Sequence, residues 1–518
     1  MKKNFLIILI FCVFFISCSK APKKSGNLKG GSAKSGIYIP KGSSDTVKEK
    51  KELQYSAFKA EGLPLPINNY GKTIEYLVPV AENDDIDFSL FKKYNENKVL
   101  DYYKNLKVRG LGDNSSYWRW KTSIRKSDLY SKIPIRIVNL SKNNYRNIFT
   151  LENGNWVQKP ITKVGTVKNI KVMARGASGI ITHLLIETTY HKYLVTKEYV
   201  MRRLLATNSP LYGAKGGADG YITSKDLVSS VVSLPSAHLA FEEKNGRIDI
   251  YGAGFGHGAG MPQFAASSLA QRGKNYENIL KRYYKGSKLV NVSKILGKNT
   301  EIKVGITGSG GNLNHRKLSV SSGNSLRVYN SDIDLTFKKN EKVSVINKNG
   351  KVQIISPKGK SYITNKPLNF NAKGYYLSLS PVVKAHTSSP KYRGILTISA
   401  YGSSSLRVIN TVDIEKYLLQ VVPSEMPRSF GLEALKAQAV AARTYAVSDI
   451  QKQKYIKDGF HIKDTIESQV YNNQVENEDA TKAIEETKNK ILIYDGVPID
   501  AKYFSTSAGF TSFSSDIW

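Results

Sequence analysis

Glu425 stands in Val422-Pro423-Ser424-Glu425-Met426-Pro427, a Pro-bounded loop that runs into a helix-patterned segment beginning at Leu432. Projected at about 100° per residue, the apolar arc of that segment holds Leu432, Leu435, Ala439, Val440, Ala446, Val447 and Ile450. Lys436 and Arg443 fall inside the same arc. Glu433, Thr444, Ser448 and Asp449 form a polar face that could have carried both cations in water. Two cations on a packing face call for an anionic partner, and Glu425 is the natural candidate. The other reading is that their stems pack while their heads reach the helix edge. No second carboxylate sits within the loop, and Glu433 falls on the polar face.

Two further segments hold chemistry-bearing residues. In Tyr251-Gly252-Ala253-Gly254-Phe255-Gly256-His257-Gly258-Ala259-Gly260-Met261-Pro262-Gln263, glycines alternate along a strand end and a helix opens at Pro262. Neither the dinucleotide fingerprint nor the P-loop spacing fits, and no Lys-Ser/Thr pair follows, so nucleotide binding is unsupported. The alternation permits close approach of a backbone or of a polymeric ligand. His257 is either a functional imidazole or a structural histidine bonded within its loop. Tyr503-Phe504-Ser505-Thr506-Ser507-Ala508-Gly509-Phe510-Thr511 is a hydroxyl-rich turn flanked by aromatics, a surface that suits sugar hydroxyls, with a Ser/Thr turn between strands as the commonplace explanation. The seven histidines show no HExxH, no Ser-His-Asp order and no paired ligand spacing. Metal catalysis therefore has no sequence support, and no cofactor is expected.

The elements that must position these segments begin after a targeting region. Lys2 and Lys3 precede a short apolar run, followed by Phe15-Ile16-Ser17-Cys18, which reads as a secretory signal over residues 1–18 ending in a lipobox-like site with Cys18 as the lipidated residue. Phe15 stands where Leu is commoner, leaving an uncleaved anchor or ordinary cleavage as alternatives. With Cys12 in the signal, no thiol remains for a disulfide or a Cys-ligated zinc. Residues 19–70, rich in Lys, Gly, Ser and Pro, read as a disordered tether. The net charge of +35, on an exported chain, points to cell-wall polymers and anionic headgroups rather than nucleic acid, and its bland explanation is a generally basic surface.

The remainder reads as an α+β chain, with mixed strands and helices forming one body and a small all-β accessory unit. Strand-like runs at 167–174 and 180–189 and helices at 262–271 and 276–284 belong to a block spanning 71–295. Alternating short strands with Asn-Gly, Ser-Gly and Lys-Gly turns fill 300–400, as in the hairpin over 344–354. Residues 401–518 add helices around 411–451 and near 478–488, then strands.

Together these segments resemble the SpoIID/LytB family of peptidoglycan-acting proteins, named for stage II sporulation protein D and the amidase enhancer. The resemblance is carried by Thr411-Val412-Asp413-Ile414-Glu415-Lys416-Tyr417-Leu418, the Pro-Ser-Glu-Met-Pro stretch at 423–427, the helix at 433–446, and Ser468-Gln469-Val470-Tyr471. The Ser505-Thr506-Ser507 turn, Tyr117-Trp118-Arg119-Trp120-Lys121 and the glycine-histidine block, with Gly286 closing its helical tail, belong to it as well. Their order is unusual. The family has the Glu loop first and the glycine-histidine block last, whereas here the last two segments precede Glu425. A circular permutation would account for this if the ancestral termini were close in space, and it expects Trp518 beside residues 74–76. Two degenerate half-domains are the alternative.

The resemblance implies either a lytic transglycosylase or an amidase-assisting protein at the cell envelope, anchored in a membrane through lipidated Cys18, with peptidoglycan glycan strands and a cell-wall amidase as partners. In the first case Glu425 protonates the leaving oxygen and then accepts the proton of the sugar's own 6-hydroxyl, which closes a 1,6-anhydro ring. Val421, Val422, Met426 and Phe430 would favour the protonated acid. Arg443 and Lys436 would oppose that, so the resemblance assigns them to substrate or transition-state contacts, or to fixing the loop. It further implies substrate contacts from Ser424, Gln438, Tyr445, Ser505, Thr506, Ser507, His257, Gly258 and Gln263, with Tyr117, Trp120 and Lys121 as a sugar-stacking wall. Such a site needs both halves folded as one body. Some members bind metal through a His/Cys variant of the Ser505 turn, where this chain has Phe504 and no cysteine. A non-catalytic peptidoglycan-binding module and a purely structural envelope lipoprotein are the competing classes.

Overall fold

The computed structural model describes residues 57–65, 74–83, 95–223, 232–384 and 387–518. The signal, Cys18 and all of the tether except residues 57–65 lie outside them. The architecture is α+β. Among the described residues no helix is long and apolar enough to cross a membrane. They divide into two compact units, one holding those up to Arg272 with Leu280–Lys285 and Lys502–Trp518, the other Gly273–Ile279 and Gly286–Ala501.

In the first unit a five-stranded antiparallel sheet has the order Asn155–Val157, Ile148–Glu152, Lys192–Thr196, Ile181–Thr188, Val167–Arg175. The strand Ile181–Thr188 is buried on both faces. Leu184 and Ile186 join the main core while Leu185 joins a second cluster with Phe149, Met173 and Leu194, as the two-residue strand period requires. The helix Lys126–Asn144 supplies Leu129, Ile133, Ile137 and Leu140 to the main core, a spacing that puts them on one face. A four-stranded sheet, ordered Tyr212–Ala214, Arg119–Arg125, Arg247–Gly252, Leu239–Lys244, adds Trp120, Ile124, Leu239, Ile248 and Ile250. Residues 74–82 run beside the C-terminal residues. Ala81 and Phe510 form an antiparallel bridge, Glu82 N–H donates to Gly509 O (2.9 Å) and Thr511 N–H to Val80 O (2.9 Å), and Ile74 N–H donates to Ser514 Oγ (2.8 Å).

The second unit contains the β-rich segment and the helices around Glu425. Its strands form a seven-stranded and a six-stranded sheet. In the latter, Leu318, Val320, Val343, Val345, Val352, Ile354, Leu377 and Leu379 alternate inward. The Asn349-Gly350 hairpin closes between Lys348 and Lys351 with both turn residues at positive φ, +51° and +83°, the conformation that this dipeptide favours. The seven-stranded sheet includes Ile395–Tyr401, Ser405–Asp413, Glu301–Gly305 and Ile462–Lys463.

Asp413 ends its strand and caps the next helix, Ile414–Glu425, its side chain accepting from Glu415 N–H and Lys416 N–H. Glu425 is therefore the last residue of a helix, not part of a loop. Pro423 lies in the final turn, and next to it Ser424 Oγ donates to the carbonyl of Gln420 (2.6 Å). Pro427 follows and cannot extend the helix. The helix Leu432–Lys452 departs further from the sequence reading. Residues 437–449 are all buried, because Ile414–Glu425, Glu478–Glu486 and Lys490–Tyr494 pack around it. Its expected polar face is enclosed too: Thr444 Oγ1 donates to Val440 O (2.7 Å) and accepts from Leu492 N–H (2.9 Å).

Candidate functional site

The residues singled out from the sequence fall into two groups, one in each unit. In the second unit Glu425 is partly exposed while Val421, Val422, Ser424 and Met426 around it are buried. Its carboxyl is oriented through Oε1, which accepts from Val470 N–H at 2.9 Å. Val470 lies in an irregular stretch whose neighbours are tied to the helices. Gln469 Nε2 donates to Ala442 O (3.1 Å) and its Oε1 accepts from Tyr417 OH (3.3 Å). Tyr471 OH donates to Asn410 Oδ1 (3.2 Å). Burial, then the neighbouring Tyr471 and Glu425, hold the Tyr417 phenol well above the usual tyrosine range, so it stays a proton donor. A single carboxyl on a helix end, apolar on its inner side and reachable from solvent, suits proton transfer to and from an external group.

The two cations of the following helix pair with other acids. Arg443 is fully buried and grips Glu415 with two parallel hydrogen bonds, Nε to Oε1 (2.9 Å) and Nη2 to Oε2 (2.7 Å). It donates further to the carbonyls of Lys490 and Ile484 (3.1 and 3.3 Å). The expected substrate contact is thus replaced by an internal clamp joining three elements, since the guanidinium has no surface left for a ligand. Lys436 pairs with Glu433 (2.7 Å) and Glu486 (2.5 Å). Ser424 and Gln438, expected as substrate contacts, are enclosed and Tyr445 nearly so, covered by close helix packing.

In the first unit the glycines serve a backbone. Gly254 and Gly260 have φ of +77° and +86°. A Cβ on them would stand 2.7 Å from Thr506 O and 2.0 Å from Lys502 O, so side chains are excluded where the two stretches run together. Met261–Pro262 pairs with Tyr503–Phe504, and Phe255 and Thr506 exchange backbone hydrogen bonds (2.8 and 3.1 Å). The glycine-histidine block and the Ser505 turn are therefore direct neighbours. Gly258 and Gln263 are buried here.

His257 is mostly buried, between Phe504 and Trp518 with ring centroids 5.4 and 5.1 Å away. Its Nδ1 accepts from Ala259 N–H (3.2 Å) and its Nε2 sits 3.1 Å from Tyr503 O. This pattern fixes the proton on Nε2 and suits a histidine that shapes its loop. Ser505 and Thr506 hydroxyls lie 3.1 Å apart, and Thr506 Oγ1 is 2.8 Å from Ser115 Oγ. Thr506 and Ser507 are buried while Ser505 is partly exposed.

The residues expected as a sugar-stacking wall are largely enclosed. Trp120 is fully buried with its Nε1–H on Gly254 O (3.0 Å), and Tyr117 is buried and stacked on Phe255 at 4.5 Å. Both rings are spent on the core, and Lys121, with its ammonium 4.7 Å from the Tyr221 ring centroid, is the member of that trio that keeps partial exposure. Nearby, His238 bonds Ser178 Oγ (2.9 Å) and burial, then Arg175, pushes its pKa down to about 3, so it stays neutral. Among the described residues no three His, Cys, Asp or Glu side chains are gathered as a metal-holding group.

Residues 402–494 match the SpoIID family, described as stage II sporulation protein. The chain is similar to a Bacillus subtilis (strain 168) protein named amidase enhancer, 45% identical over 98 residues, which are 19% of this chain and 13% of that protein. Stage II sporulation protein D of the same organism is 36% identical over 137 residues, 24% of this chain and 40% of that protein. An uncharacterized protein of Brachyspira hyodysenteriae is 40% identical over 120 residues, 23% and 32% of the two chains. The matched part thus spans less than half of each relative. No solved structure matches the chain.

Proposed function

Residues 402–494 belong to the SpoIID family, and from that premise we propose that this protein is an envelope-anchored peptidoglycan lytic transglycosylase with Glu425 as its single acid and base. The observation that carries the proposal is the placement of Glu425: a partly exposed carboxyl at a helix end, backed by apolar side chains and aimed by the Val470 amide. Glu425 gives its proton to the glycosidic oxygen as the anomeric carbon–oxygen bond breaks. It then takes the proton of the 6-hydroxyl as that oxygen bonds to the anomeric carbon. No water is consumed, so no second carboxylate is required, in contrast with hydrolases. Arg443 and Lys436 serve by fixing the helix that backs Glu425.

The order of segments is part of the same proposal. A circular permutation is supported by the hydrogen bonds between residues 74–82 and 509–514, which make neighbours of segments that are far apart in the chain. Lipidation of Cys18 and envelope anchoring remain proposals from the sequence.

A second reading is favoured by the relative named amidase enhancer: a peptidoglycan-binding protein that recruits or activates a cell-wall amidase. Incubation of purified protein with glycan strands stripped of stem peptides, followed by mass spectrometry, separates the two. Anhydro-muramyl ends support the enzyme. Binding without products, together with faster peptide release by an added amidase, supports the enhancer.

A further inference from the structure

From Asp464 to Glu476 the chain has no regular secondary structure, yet this stretch holds the amide that aims Glu425. No helix or sheet ladder runs through it, and beyond the bond from Asp464 N–H to Gly305 O (3.3 Å) its position depends largely on side-chain ties. The first of these is a buried ion pair. Asp464 is fully enclosed, and Lys384 nearly so, with side-chain exposures of 0% and 6% and an Nζ to Oδ2 distance of 2.5 Å. Asp464 Oδ1 also accepts from Thr307 Oγ1 (2.7 Å), and both of its oxygens lie near Thr307 N–H (3.2 and 3.1 Å). Lys384 donates in addition to Thr307 O (2.7 Å). The stretch then closes on itself, Tyr471 N–H donating to Asp464 O (3.2 Å). One residue earlier, Val470 N–H holds Glu425.

We infer that Lys384 is a positioning residue for Glu425: its ion pair with Asp464 anchors the 464–471 turn whose Val470 amide aims the carboxyl. The inference rests on the reading of Glu425 as the acid. Its physical basis is the cost of burying charge. An ammonium and a carboxylate taken out of water are tolerated only when paired and hydrogen-bonded, and here that condition is met in one placement of residue 384 against residue 464. Lys384 and Thr307 both lie outside residues 402–494, in the β-rich segment. That segment therefore has a task beyond packing, because it completes the support of a side chain carried by the family-matched part.

The test compares the full-length protein with Lys384→Met, Asp464→Asn and the double variant, by glycan cleavage and by amide hydrogen exchange. The expected result for each single variant is kcat lowered roughly tenfold or more with KM within about twofold, and exchange at residues 469–471 accelerated at least tenfold while the strand Val343–Lys348 keeps its protection. The double variant should cost no more than either single one, as for two members of a unit. Should the buried-charge variants fail to fold, Thr307→Val, which removes only the hydroxyl tie, should move both readouts in the same direction by a smaller factor. Unchanged kcat with unchanged exchange at 469–471 would overturn the inference, as would uniform loss of protection across the unit. A wild-type protein that makes no anhydro ends would refute the enzymatic reading alone, and the exchange measurement would still decide the anchoring.

Discussion

At the scale of single residues, Glu425 and Arg443 make opposite demands on a mutation. On the proposed reading, Glu425→Gln removes the proton donor while keeping shape and the Val470 hydrogen bond. It should lower glycan cleavage by about 100-fold or more and leave binding to peptidoglycan and the thermal midpoint nearly unchanged, which a pull-down and a melting curve would check. Arg443→Ala leaves Glu415 facing a buried gap and should destabilise the fold by about 3–5 kcal/mol, visible as a lower denaturant midpoint. Glu82 makes a third case. It is buried beside Arg282 (4.0 Å) and accepts from Tyr283 OH (3.0 Å), and burial outweighs both partners, raising its pKa from 4.5 to about 8. A carboxyl raised in this way binds its proton more tightly folded than unfolded. Its contribution is complete below about pH 4.5 and is lost as pH climbs towards 8. Urea midpoints should therefore fall between pH 5 and 8, and Glu82→Gln should flatten that fall, by up to a few kcal/mol at pH 8. An equal fall in both proteins would contradict this account. The sequence pointed to Glu425 because a carboxyl among prolines stands out from its apolar neighbours. The segment Ser468-Gln469-Val470-Tyr471 entered the resemblance, but nothing in it marked Val470, which acts through its backbone, and nothing marked Glu82, whose enclosure is made by segments distant in the chain.

At the scale of elements, short-range rules were legible where local chemistry decides. The Asn349-Gly350 hairpin, the helix Glu478–Glu486 and the strand Val167–Arg175 follow from turn residues and periodicity. Periodicity misled where packing surrounds an element. The helix Leu432–Lys452 shows an apolar arc in sequence, but neighbours on its other sides bury Thr444, Ser448 and Asp449 as well. The same effect explains why two cations could sit on a packed face, since Glu415, Glu433 and Glu486 come from outside the expected loop. Pro423 read as a helix breaker, yet it sits inside the last turn of Ile414–Glu425, which ends two residues later. The glycine block left two readings open, and the structure supplies a backbone as the close neighbour. Gly260→Ala should accordingly destabilise the first unit strongly, since its Cβ would meet Lys502 O at 2.0 Å at a φ that L-residues rarely adopt. Gly246→Ala, at a turn with similar φ and open space around it, should cost much less, and comparing the two melting temperatures checks the argument.

At the scale of the whole molecule, the α+β class was readable from alternating helix and strand patterns. Residues 502–518 join the first unit through pairing with residues some 240 to 440 positions away, a distance at which no local rule operates, and it was the order of the family segments, not local patterning, that expected the C-terminal residues beside 74–76. Given the net charge of +35, the proposed binding to an anionic wall polymer should weaken as salt rises, and sedimentation with purified sacculi at low and high ionic strength measures it. The central claim remains that one carboxyl suffices, because the substrate's own hydroxyl replaces water. Its most direct test is digestion of peptide-free glycan strands in oxygen-18 water, with mass spectrometry of the new muramyl ends. The account predicts ends lighter than a reducing end by one water and free of the label, and none with Glu425→Gln. Labelled reducing ends, or undiminished products from Glu425→Gln, would contradict it.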